Sequence, residues 1–210
     1  MPKKSSARAP EATRNNLVAA AAKLFNSVGY FGTDSNRIAR AAGYAPGTFY
    51  VHFADKLEIF LEVYRGWVES EWQAIAAALK PDRRHGPESA RIAWVVLQHH
   101  RKWQVFRASL RALTVTDRRM HQARVAQRKR QIAQTAELLR ARGVTPRPAR
   151  IYANLLLFEI LADAVADGDT AALAIKEGDI LARLAADVEE LFATAGAPHD
   201  RRRRKSPAGA

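Results

Sequence analysis

Apolar residues recur at helical spacing through most of the chain, and the breaks between them fall at Gly, Pro and short polar clusters. Leu17, Ala21, Leu24 and Val28 are four, three and four residues apart, with Val18 and Phe25 widening the stripe. That pattern predicts an amphipathic helix from Glu11 to about Ser27, ended by Gly29. Ile38, Ala39 and Ala42 predict a short second helix, and Phe49 and Phe53 a third. Leu57, Phe60, Leu61, Tyr64, Trp67, Val68, Trp72 and Ile75 give a fourth a broad apolar face, from a cap at Asp55 to about Leu79. At 1.5 Å per residue it spans about 37 Å.

The segment KPDRRHGP, residues 80–87, reads as a loop. Two helices are predicted beyond it, Glu88 to about Thr114 and Thr116 to Arg142, the second closed by Gly143. Residues 146 to about 167 are apolar nearly all round, which requires burial on more than one side. After a turn at DGDT, a last helix reaches Ala195. The expected fold is all-α with about nine helices. It divides into a basic arm (1–10), a three-helix head (11–55), a larger helical domain (56–196) and a basic tail (197–210).

The most specific stretch is TDSNRIARAAGYAPGTFYVHFADK, Thr33 to Lys56. Thr33 is suited to cap a helix, and Asp34 follows where the helix dipole favours a negative charge. Gly43 can take the left-handed conformation that ends that helix, and Pro46 suits the first turn of the next. Two short helices across a tight turn make a helix-turn-helix. Thr48, Tyr50 and His52 lie off the Phe49/Phe53 line and offer donors to phosphate. Lys56 lies at the start of the fourth helix, where its charge and the N-terminal amides could hold a phosphate.

From about Asn15, through LVAAAAKLFNSVGYFGT and AGYAPGTFYVHFADK, roughly 45 residues resemble the DNA-binding signature of the TetR family of transcriptional regulators. The family often has Ser or Thr at the position of Ala45, which cannot cap; Pro46 and the turn must fix that helix start. The resemblance implies phosphate contacts at Thr48, Tyr50, His52 and Lys56. Ser35, Asn36, Arg37, Tyr44 and Pro46 surround the expected major-groove surface, and Thr33 and Gly47 are further DNA-binding candidates. Helix packing is the rival explanation for Tyr44.

Formal charge is +13, from 34 basic and 21 acidic side chains, which favours a polyanionic partner. Basic residues in both tails could add non-specific affinity for phosphates. The run TDRRMHQARVAQRKRQ, with six Lys and Arg residues between Arg118 and Arg130, reads as a solvated helix face. Zero cysteines exclude disulfides and thiolate metal sites. No apolar run approaches the roughly 18 residues of a membrane span, and MPKKSSARAP lacks the apolar core of a secretory signal. A cytoplasmic location fits these features.

Aromatic residues with a few polar neighbours can line a pocket for an apolar or amphipathic effector. Trp67, Trp94, Gln98, Trp103 and Phe158 are the candidate lining. Members of the resembled family dimerise through their last two long helices, which implies a homodimer interface at Leu155, Ile180, Leu184, Val188 and Leu191. The expected function is a sequence-specific DNA-binding regulator. The resemblance implies a repressor that binds a near-palindromic operator as a dimer and is released by a small molecule. The alternative is a sequence-independent architectural DNA binder. There is no phosphate-cradling Gly loop, zinc-spaced set or nucleophile motif, so neither an enzyme nor a cofactor is expected.

Overall fold

The computed structural model describes residues 8–81 and 86–193. Most of the basic arm and the whole basic tail therefore lie outside the described residues, as does Ala195. Ten helices follow one another: α1 Arg8–Val28, α2 Ser35–Ala41, α3 Pro46–His52, α4 Lys56–Ala78, α5 Glu88–Lys102, α6 Gln104–Thr116, α7 Arg118–Ala141, α8 Pro148–Asp167, α9 Asp169–Ala172 and α10 Glu177–Phe192. The described residues contain no strand.

The head, α1 to α3, follows its local signals closely. Gly43 takes φ +82, and Pro46 starts α3 with no side-chain cap at Ala45. Two expectations shift. Helix α1 begins at Arg8, inside the segment expected to be an arm. Asp34, not Thr33, caps α2: its carboxylate accepts from the Arg37 amide at 2.8 Å, while Thr33 turns inward and is buried. A carboxylate at a helix start gains both the amide bond and the dipole, which a hydroxyl does not match.

Helix α4 starts from a reciprocal cap. Asp55 accepts from the Glu58 amide at 2.8 Å, and the Glu58 carboxylate accepts from the Ala54 amide at 2.7 Å. Its first half packs into the head: Leu57, Phe60 and Tyr64 share a core with Leu17, Phe25, Phe49 and Phe53. Phe106, Leu110 and Leu113 of α6 complete that core, so it continues past residue 55.

The single helix expected over 88–114 is two. Trp103 leaves the helical conformation at φ −116 and ψ 25. Asn26 of α1 occupies the break. Its amide donates to the Lys102 carbonyl at 2.6 Å, and its oxygen accepts from the Phe106 amide at 3.3 Å. The bonds lost at the break are thus replaced from another helix. Near the C-terminus, Gly168 ends α8 at φ +91, and Ala174 takes φ +56. A short α9 fits between them, and α10 starts only at Glu177.

The expected dimer-interface residues point into their own chain. Leu184 is fully buried and Val188 nearly so, in a core with Ile92, Leu97 and Phe158. Leu191 is buried with Leu139 and Ile151, and Leu155 packs against that cluster. Ile180 is half-buried on the edge of the first core. The cause is α5: α10 lies mainly against it, so the heptad-like stripe of α10 is used within the chain. The outward apolar residues of α8 are Tyr152 and Ile160, the latter 62% exposed. No described helix is long and apolar enough to cross a membrane.

Candidate nucleic-acid interface and the cavity behind it

The head presents a polar surface over a closed core. Ile38, Ala39 and Phe49 are fully buried, while Asn36, Arg37, Arg40, Pro46, Gly47 and Tyr50 are exposed. Ser35 and Thr48 are half-buried on the same two helices, as is His52. The Tyr50 hydroxyl lies 2.7 Å from Ser35 Oγ, which ties the outer edges of α2 and α3 together. Arg37 donates to the Gly32 carbonyl at 3.0 Å, a contact with part of its guanidinium only. Val51 is 77% exposed, three residues from Thr48 on α3. Charge and hydrogen-bonding capacity gave no reason to single it out, although an exposed methyl pair can meet a thymine methyl.

Three candidates have other structural duties. Thr33 is buried, and its carbonyl accepts from Lys56 Nζ at 2.8 Å. Tyr44 accepts from Asn16 of α1 at 2.9 Å and packs on the head core, so helix packing accounts for it. Lys56 also donates to the Tyr30 carbonyl at 2.8 Å, and its ammonium sits 4.0 Å from the centre of the Tyr30 ring. Burial pushes that ammonium's pKa below its ordinary value. The α4 N-terminus is likewise filled from within by Asp55 and Glu58. The phosphate site expected there is thus already served by the protein's own groups.

Behind the head, α4 to α8 and α10 enclose a cavity. Its apolar wall includes Tyr64, Trp72, Ile75, Ile92, Ile151, Leu155, Phe158 and Phe192. Of the expected lining, Trp67 and Phe158 are present and Trp94, Gln98 and Trp103 are not. Ile92, Val96 and His100 face the cavity at i, i+4 and i+8. Trp94 and Gln98 follow two of these by two positions, about 200° round a helix of 3.6 residues per turn. Trp94 is 55% exposed on the outside. Trp103 stands edge-on to Phe106 in the head's core.

The cavity also has a charged wall. Arg124 and Arg128, one turn apart on α7, both bond the Glu159 carboxylate. They come from the run that reads as a solvated face, and they turn inward because Glu159 on α8 lies opposite. Burial would raise the Glu159 carboxyl, but the two guanidiniums outweigh it and hold it below its ordinary range. Arg107 bonds Asp163, which also takes Arg111 at 2.7 Å and the His100 ring at 2.8 Å. Burial, reinforced by Arg111, lowers the Arg107 guanidinium to about 10. Three buried atoms of the cavity lining make no hydrogen bond within the protein: Trp67 Nε1, Arg107 Nη1 and Glu71 Oε1.

Comparison with known proteins agrees with the head. The model of bacterial regulatory proteins of the tetR family matches residues 17–63. The transcriptional regulator AcrR of Shigella flexneri is 36% identical over 80 residues, 35% of this chain and 37% of that protein. The regulator SrpR of Pseudomonas putida is 29% identical over 110 residues, 46% of this chain and 51% of its own length. The matches thus span about a third to a half of these two relatives. A Rhodococcus sp. structure assigned to the same family shares the fold, at 17% identity and TM-score 0.67 over 87% of this chain and all of that one.

Proposed function

Because the chain belongs, through residues 17–63, to the TetR family of bacterial regulatory proteins, we propose that it regulates transcription by binding DNA through α2 and α3. The observation that carries this reading is the exposed polar face of those two helices over a fully buried core. Asn36 and Arg37 are the base-reading candidates, since Asn and Arg side chains pair with adenine and guanine edges. Thr48, Tyr50 and His52 serve phosphates.

In this reading the protein acts as a cytoplasmic homodimer. Two heads roughly 34–36 Å apart then meet successive major grooves of a near-palindromic operator. The outer face of α8, with Tyr152 and Ile160, is available to a second copy. A small molecule in the cavity releases the repressor. Two helices support such coupling. Helix α4 begins in the head's core and carries Trp67 and Glu71 to the cavity. Helix α6 presents Arg107 and Arg111 to the cavity, while its Ser109 hydroxyl accepts from the Tyr30 amide at 2.9 Å. The effector shifts the spacing of the heads only by its differential affinity for the two states.

The test is selection of bound sequences from a random DNA pool, followed by titration of the selected site and of bulk DNA. A near-palindrome bound at least about a thousandfold more tightly is the expected result. Equal affinity for both would leave an architectural DNA binder instead.

A further inference from the structure

We propose that the cavity is built for an amphipathic organic anion, a carboxylate on an apolar tail, with the carboxylate seated among Trp67, Arg107, Arg124 and Arg128. This rests on the reading of the cavity as an effector site and adds the charge of the effector.

Three observations carry it. The first is unpartnered donors. Trp67 Nε1 and Arg107 Nη1 belong to side chains at least nine-tenths buried, both residues line the cavity, and neither atom has a partner in the protein. Both are donors only, so what completes them must be an acceptor. The second is a local excess of guanidiniums on α7. Glu159 alone serves Arg124 and Arg128, whereas Arg107 and Arg111 are matched by Asp163 and Asp167. The trio of Arg124, Arg128 and Glu159 therefore keeps one positive charge, in side chains only 15–22% exposed. An entering anion neutralises it. The third is the apolar part of the lining, which includes Ile75, Ile92 and Phe158 and suits a hydrocarbon tail.

A cationic ligand has weaker support. Glu71, the cavity carboxylate away from the arginines' bonds, faces His100 Nε2 at 3.2 Å, although its Oε1 is buried without a hydrogen bond.

The experiment uses the full chain and three probes built on a ten-carbon chain: decanoate, 1-decanol and decyltrimethylammonium. Calorimetric titration and thermal shift are read for each, for the natural protein and for Arg128→Gln. That variant removes the surplus charge while leaving Arg124 to pair with Glu159, and its circular dichroism checks that it folds. Decanoate should bind about tenfold more tightly than decanol, with no stabilisation by the ammonium. Arg128→Gln should bring decanoate down to the level of decanol and leave decanol unchanged. Equal binding of decanol, preference for the ammonium, or unaltered decanoate binding by the variant would each overturn the anion assignment while keeping the cavity as a ligand site. No binding of any of the three would overturn the effector reading as well.

Discussion

The arginines of α2 point outward, and three arginines of α6 and α7 point inward. On α2, Arg37 and Arg40 are exposed to solvent. On α6 and α7, Arg107, Arg124 and Arg128 turn into the cavity, each bonded to a carboxylate brought by α8. The residue type is the same and the destination differs because the partner differs. Among the described residues, the carboxylate bonded to α2 is its own cap, Asp34. In the body, Glu159 and Asp163 lie one turn apart on α8, facing the arginines. The 34 basic side chains therefore overstate the cations available to a polyanion, since several are held in an interior wall.

The comparison breaks first at the cores. Leu184→Glu should be the most damaging change, because it places a charge in the fully buried contact between α10 and α5. A loss of about 4 kcal/mol or more is expected in urea melts, as for other unpaired buried charges. Ile160→Glu should change monomer stability by no more than about 0.5 kcal/mol, since Ile160 is 62% exposed. Its effect should appear in sedimentation at micromolar concentration, where the natural protein runs as a dimer and this variant dissociates. A natural protein that sediments as a clean monomer would remove the basis for paired half-sites.

Within the head, the sharper question is which cations reach DNA. Arg37→Ala or Asn36→Ala should cost about 1–3 kcal/mol at the selected site and relax preference at one position per half-site. Lys56→Ala should act differently. It removes bonds to the Tyr30 and Thr33 carbonyls, so about 1–2 kcal/mol of stability should go. Affinity for all sequences should then fall together, with the slope of log affinity against log salt unchanged. A slope reduced by about 0.9 would show Lys56 on a phosphate after all.

What the sequence made legible follows the same division. The head is specified by signals a few residues apart: Gly43, Pro46, the Asp55 cap, and the Phe49–Phe53 spacing. The cap at Asp34 was missed by one position because Thr33 and Asp34 are both good caps. The body is specified by partners far apart in the chain. Arg124 and Arg128 look solvated until Glu159, 35 and 31 residues later, is placed opposite. Leu184 and Val188 have the right period for an interface, and periodicity alone does not say which helix covers them. The apolar residues of α5 nearly encircle it, so Trp94 and Gln98 could not be told from the cavity side.

The break at Trp103 is the clearest such case, and it supplies the last and smallest test. Local sequence gives no reason for α5 to stop, since Lys102, Trp103 and Gln104 all tolerate a helix. The reason is Asn26, 76 residues away from Lys102, whose side chain serves both broken ends. Asn26→Ala should cost only about 1 kcal/mol, because water can replace the exposed bond to Lys102. Its main effect should be on communication. Asn26 of α1 and the Tyr30–Ser109 bond from the turn after α1 are polar links to the helix that carries Arg107 to the cavity. The variant should therefore bind effector and operator separately almost as the natural protein does, while each ligand changes the affinity for the other by a smaller factor. Coupling is reciprocal, so the loss must read the same in both directions. Titrating DNA with and without decanoate, and decanoate with and without DNA, measures it twice. Undiminished coupling in the variant would assign the whole transmission to α4.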